Sequence, residues 1–191
     1  MSALVTVLRA VSLLAFAGPM LLVAGGRRGK PRTRPSHDGG DRAPVVANLS
    51  AFGLFFFSLL IFPSSAEASM VLPVALSGCL LALAGAALVL RSRAELGPAW
   101  SFVPKADRGT GLVTTGPYRL VRHPIYLGLA LVALGESLAF GSWSALMIVL
   151  SGIVPTFGWR ARAEEKLLSR TFGERYAVYR RRTKMIIPYL L

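Results

Sequence analysis

The sequence predicts an all-α, polytopic membrane protein with about five transmembrane helices and a polar pocket on the cytoplasmic side. Three observations predict it. The 191 residues are 53% hydrophobic and only 16% charged, where a soluble domain carries about a quarter charged. Apolar runs close to the ~20 residues that cross a bilayer recur along the chain. Arginine and lysine gather in alternate connections between those runs, as the positive-inside rule requires. The length suits a single domain over residues 1–191.

The first run covers residues 3–24. Arg9 followed by residues 10–17 resembles a short signal peptide with a cleavage site at Ala15-Phe16-Ala17. Arg9, however, follows an apolar stretch, and the run continues through residue 24, so a retained helix is expected, with Arg9 snorkelling to the near interface. Residues 25–44, rich in Gly, Pro and Arg, read as a flexible basic linker able to touch anionic lipid. The second and third runs cover residues 45–62 and 70–90, and residues 91–191 hold the motifs. Within them, residues 124–159 form one apolar run interrupted at Gly141-Ser142. As a single helix it would be about 50 Å long, too long for a ~30 Å hydrocarbon core. A tight hairpin of residues 124–140 and 143–159 is expected instead.

The net charge of +13 lies between the apolar runs, which points to juxtamembrane charge and not to nucleic-acid binding. Six basic residues fall within 27–42, six within 91–122 and nine within 160–184, while Glu67 is the one charge between the second and third runs. This pattern places the N-terminus outside and the C-terminus in the cytoplasm, which an odd number of spans also requires. The two long polar segments, 92–123 and 160–191, then share the inner side and can build one site. Cys79 is the single cysteine and there are two histidines, so neither a disulfide nor a metal site is expected. No Ser-His-Asp arrangement is apparent. The glycines of residues 109–116 lack the third fingerprint glycine, because Thr114 stands there, and no βαβ unit surrounds them.

The segment Gly116-Pro117-Tyr118-Arg119-Leu120-Val121-Arg122-His123-Pro124-Ile125-Tyr126-Leu127-Gly128 is the densest in chemistry. Pro124 suits the first turn of a helix and pushes His123 out of helical geometry. A helix start with open N–H groups beside Arg119, Arg122 and His123 outlines an anion site. It reads equally as an interfacial cap with tyrosine and arginine among headgroups. In the tail, Arg160 and Glu164 stand four apart and can pair on one helix face, Gly173 breaks the helix, and a short aromatic helix follows through Tyr176 and Tyr179. Residues 186–189 are expected to pack back onto the membrane.

Together these residues resemble the isoprenylcysteine carboxyl methyltransferase family and its bacterial relatives. The likeness rests on Gly116-Pro117-Tyr118-Arg119, Arg122-His123-Pro124-x-Tyr126-x-Gly128, then Arg160, Glu164-Glu165, Leu168, Phe172-Gly173-x-x-Tyr176-x-x-Tyr179 and Ile187-Pro188. It spans roughly residues 91–190, and the ordered pair of motifs is more specific than either alone.

The resemblance implies a membrane enzyme, in a bacterial-type inner membrane, that binds S-adenosylmethionine at the inner face. Leu112, Val113, Tyr118, Arg122, His123, Pro124, Tyr126, Leu127 and Glu165 would form the cofactor pocket. Arg122, His123 and the helix start would take the cofactor's carboxylate. Arg160 and Glu165 would be the catalytic pair, with Arg160 positioning an anionic acceptor and Glu165 orienting a cofactor amine or taking a proton. Which of Glu164 and Glu165 faces the site stays open. The implied acceptor is lipophilic or lipidated, enters sideways from the bilayer, and is a carboxylate of isoprenylcysteine type or else a lipid amine or thiol. The rival is an NADPH-dependent sterol- or steroid-type reductase. Those enzymes carry Asn after the proline and an acidic residue after the glycine, where this chain has Ile125 and Leu129.

Overall fold

The computed structural model describes residues 2–24, 43–62, 71–97 and 111–187. They form six helices: α1 (Ser2–Ala24), α2 (Ala43–Ile61), α3 (Val71–Leu96), α4 (Pro124–Phe140), α5 (Trp143–Phe172) and α6 (Glu174–Arg182). A 3-10 turn, Gly116–Arg119, precedes α4. The only β pairing among the described residues is a parallel bridge between Val121 and Lys184. Three of the helices, α2, α3 and α5, are long and apolar enough to cross a membrane. Helix α4 and the apolar part of α1, Ala3–Gly18, are shorter.

Two expected boundaries shift. Ala43 and Pro44, assigned to the linker, open α2, because proline is pre-set for a first helical turn. The remainder of that linker, residues 25–42, lies outside the described residues, as do Pro188 and Tyr189. Helix α3 continues past Leu90 to Leu96. Arg91, Arg93, Ala94 and Glu95 are good helix formers, so the helix outlasts its apolar part.

The hairpin between α4 and α5 forms where expected. Gly141 adopts φ +61, and its N–H returns to the Leu138 carbonyl at 2.9 Å. This left-handed closing residue is one that glycine takes without a Cβ penalty. Ser142 then caps α5, its hydroxyl accepting from the Ala145 N–H at 3.3 Å. Helix α5 contains a π-helical turn, Val149–Ile153, whose two end residues are buried.

Helices α3 and α4 pack backbone against backbone. A Cβ on Gly135 would lie 2.5 Å from the Ala82 nitrogen, and one on Gly85 would lie 2.6 Å from the Gly128 carbonyl oxygen. Small residues at such a seam gain dispersion contacts where no hydrophobic effect drives helices together. Helix α1 lies over this pair. At the turn that closes α4, Arg9 Nε donates to the Ala139 carbonyl at 3.0 Å and its Nη2 to the Phe140 carbonyl at 3.4 Å, and its guanidinium sits 5.3 Å from the Phe140 ring centre. The bare carbonyls and the negative end of α4 attract the cation. One turn below, Glu136 is fully buried and faces Ser12, whose hydroxyl oxygen lies 3.2 Å from Oε2.

Helices α2 and α5 enclose an aromatic core. Phe52 and Phe55 meet Phe157 and Phe16, and the stack continues through Tyr126 to His123. Asn48 on α2 donates to the Thr156 hydroxyl at 3.0 Å, one turn before Arg160. The core therefore ends, on the side expected to be cytoplasmic, at the polar residues of the tail.

Candidate active site

The 3-10 turn delivers the chain to the site. Gly116 has φ +57, Pro117 follows, and the Tyr118 N–H closes onto the Thr115 carbonyl at 3.1 Å. His123 then sits at φ −124, ψ 59, outside helical geometry, because the ring of Pro124 forbids it the α region. Its carbonyl accepts the N–H groups of Tyr126 and Leu127 at 3.1 and 3.2 Å. Its imidazole is thereby fixed at the mouth of α4, where α5 brings Arg160, Glu164 and Glu165 against it.

His123 lies between two carboxylates, Nδ1 at 3.5 Å from Glu164 and Nε2 at 3.7 Å from Glu165. Nε2 is buried and makes no hydrogen bond. Glu164 also accepts from the Tyr126 hydroxyl and from Arg160 Nε at 3.4 Å. The Arg160 guanidinium lies 5.5 Å from the centre of the Tyr126 ring, and that ring stacks on His123 and on Phe157 with centres 5.5 and 5.0 Å apart. Glu165 takes the Arg122 Nε at 2.6 Å. The result is one cluster of two guanidinium groups, two carboxylates, an imidazole and a phenol, drawn from two stretches of chain, 122–126 and 160–165.

Burial opposes a charge on His123, but the two carboxylates beside it, Glu164 and Glu165, outweigh it and hold its pKa above the ordinary imidazole value. Burial pushes the Tyr179 phenol up to about 12 against the pull of Arg122, so it remains a donor at neutral pH. That hydroxyl donates to the Tyr118 carbonyl at 2.8 Å and ties α6 to the 3-10 turn.

Of the N–H groups at the start of α4 expected to hold an anion, those of Tyr126 and Leu127 are taken by the His123 carbonyl, and the two just upstream of the helix are engaged within the protein as well. Arg122 N–H donates to the Lys184 carbonyl at 2.8 Å and His123 N–H to the Met185 carbonyl at 3.0 Å. The Arg122 side chain adds bonds to the Thr183 and Arg180 carbonyls. Residues 183–187 therefore form a strap bound along the Arg122-His123 edge, with Met185 and Ile186 packed on the aromatic core.

Of the residues expected at the site, Arg122, His123, Tyr126, Arg160 and Glu165 converge. Pro124 and Tyr118 are buried supports at either side of His123. Leu127 is half-buried on α4, and Leu112 and Val113 are half-buried in extended chain upstream of the turn. Glu164 was left open between the two glutamates, and the structure places both against His123. Its signal was the four-residue spacing from Arg160. The strap carbonyls had no signal, since a carbonyl has no residue identity.

The profile of the family described as phospholipid methyltransferase matches residues 74–175. The chain is 32% identical over 105 residues to a protein-S-isoprenylcysteine O-methyltransferase of Schizosaccharomyces pombe, covering 53% of this chain and 44% of that protein. It is 31% identical over 115 residues to the same-named protein of Saccharomyces cerevisiae, covering 59% and 48%. A nickel-cobalt-cadmium resistance protein of Alcaligenes xylosoxydans is 38% identical over 103 residues, covering 51% and 46%. The matched stretches thus span about half the length of these curated relatives. The expected kinship with isoprenylcysteine carboxyl methyltransferases is borne out.

Proposed function

Because this chain belongs to the phospholipid methyltransferase family, we propose that it transfers a methyl group from S-adenosylmethionine to a lipophilic acceptor at the inner face of a membrane. The observation that carries this reading is the convergence of Arg122, His123, Tyr126, Arg160, Glu164 and Glu165 at the end of an apolar helical bundle. The proposal includes five spans, the N-terminus outside, the C-terminus in the cytoplasm, and a bacterial-type inner membrane.

The residues present fit the cofactor. Its amino-acid end is zwitterionic, and the cluster offers matched guanidinium and carboxylate groups. It also holds a buried imidazole nitrogen, His123 Nε2, without a hydrogen bond, and such an atom favours a polar ligand over an apolar one. Glu165 would take the ammonium, and Arg122 with His123 the carboxylate, through side chains and not through backbone N–H groups. When bound, the sulfonium supplies an activated methyl group. The protein needs no nucleophile of its own; its task is alignment and exclusion of water. Tyr126 and Phe157 form the apolar floor of the cluster. Arg160, whose fork matches a carboxylate, would hold the acceptor, and Glu164 would hold Arg160.

The names of the yeast relatives favour a carboxylate acceptor of isoprenylcysteine type entering from the bilayer. The family description favours a second reading, methylation of a lipid amine. The deciding experiment uses detergent-purified protein. Saturable binding of S-adenosylmethionine, and not of NADPH, is expected in calorimetry. Labelled methyl should then pass to a lipophilic thioether acid. NADPH binding alone would overturn the methyltransferase reading, and transfer to an amine alone would select the second acceptor class.

A further inference from the structure

A second polar feature lies at the elbow between α5 and α6. Gly173 turns the chain there with φ +54, and the helices leave between them a cleft of about 480 Å³ lined by Ser169, Gly173, Tyr176, Ala177, Arg180 and Arg181. The spacing explains the shape. Gly173, Ala177 and the pair Arg180-Arg181 recur every three or four residues, so one face of α6 has a small-residue floor and a rim of two guanidinium groups. Tyr176 is buried in the wall, and its hydroxyl makes no hydrogen bond.

Charge around the cleft is one-sided. Residues 160–184 hold nine basic and three acidic side chains, and Glu164 and Glu165 belong to the His123 cluster. Glu174 is left at the surface, 3.0 Å from Arg181, with the two side chains 79% and 65% exposed. Such a pair contributes little and yields readily to a competing anion that both guanidinium groups can reach. Arg180 lies 3.9 Å from Glu165, an attraction across a gap and not a hydrogen bond. Depth also matters. Arg180 stands level with Glu165, six residues past Trp159, or about 9 Å of helix. The headgroup layer extends roughly 5–8 Å beyond each side of the hydrocarbon, so the guanidinium groups reach its outer edge on their long stems.

We propose that this cleft binds the phosphate of an anionic phospholipid headgroup at the inner membrane face. The Arg180 and Arg181 guanidinium groups would grip the phosphate oxygens, with the Ser169 hydroxyl as a further donor. The cleft adjoins the methyl-transfer cluster, since Arg180 lies 3.9 Å from Glu165, but phosphate binding there does not depend on the methyl-transfer reading.

The test uses the full chain in detergent, titrated with dioctanoyl phosphatidylglycerol and followed by native mass spectrometry. Saturable one-to-one binding is expected. The pair Arg180→Gln/Arg181→Gln should weaken it about tenfold or more. The pair Arg170→Gln/Arg175→Gln, which removes the same charge from exposed residues that do not line the cleft, should change it less than about twofold. Ser169→Ala should weaken binding without loss of fold. Equal losses in the two arginine pairs would mean diffuse attraction and overturn the site. Displacement of the lipid by S-adenosylhomocysteine would assign the cleft to the cofactor and overturn it. Inorganic phosphate binding as tightly as the lipid would overturn the headgroup assignment in favour of free phosphate.

Discussion

Arg122 Nε meets Glu165 Oε1 at 2.6 Å, with both side chains about nine-tenths buried. The pair joins the His-Pro segment to α5, and Arg122 also holds the carbonyls of the strap. Removing one partner strands the other's charge. Arg122→Met should therefore cost on the order of 3–5 kcal/mol of stability, read as a lower unfolding temperature in detergent. The double variant Arg122→Met/Glu165→Leu should recover much of that loss. Additive losses would mean that the two groups do not depend on each other.

His123 predicts a pH dependence with a definite sign. Its pKa in the folded protein is raised by the two glutamates. The imidazolium's stabilising contribution is then fully present below its unfolded value of about 6.5 and is lost as pH rises through the folded value. The unfolding-temperature difference between the wild type and His123→Gln should be largest near pH 6 and shrink toward pH 9. A difference that grows with pH would refute the imidazolium assignment.

Arg160→Lys should separate acceptor from cofactor. Lysine keeps the charge but loses the planar fork. A lost charge-assisted hydrogen bond of about 1.5–3 kcal/mol corresponds to roughly a 10–150-fold lower rate of methyl transfer. Cofactor affinity, measured by calorimetry, should change less than about threefold, because the expected cofactor contacts are on Arg122, His123 and Glu165. Normal transfer to a lipophilic acid by this variant would remove Arg160 from the acceptor site.

Gly135→Val tests the seam between α3 and α4. The added atoms meet the Ala82 backbone, which moves only with its helix. Overpacking of this kind costs about 1–3 kcal/mol or more. Gly18→Val, whose Cβ meets nothing within 4 Å, is the control. Equal melting of the two variants would show that the helices are not in backbone contact.

Hydropathy made the apolar helices and the Gly141-Ser142 hairpin legible, because lipid contact and turn chemistry are local properties. It misplaced the end of α3, since arginine and glutamate leave the membrane without leaving the helix. Arg9 and Glu136 were illegible for another reason. Their partners, Ala139 and Ser12, lie more than a hundred residues away in sequence, and neither stretch hints at the other. At the site, His123 and Arg160 were readable because their chemistry is in the side chain. The strap was not, because it binds through backbone carbonyls.

The bridge from Val121 to Lys184 has a consequence for timing. Synthesis runs from α1 to α6, so the bundle of α1 to α5 can be inserted before residues 183–185 exist. Until that strap arrives, the N–H groups of Arg122 and His123 lack their carbonyl partners, and Arg122 lacks its Thr183 and Arg180 contacts. A nascent chain halted after Phe172 would hold helices α1 to α5 and both glutamates, yet leave the Arg122-His123 edge without its strap. The Arg122-His123 edge is therefore closed only by chain made after the bundle, so its two N–H groups stay open to water for as long as that stretch takes to arrive.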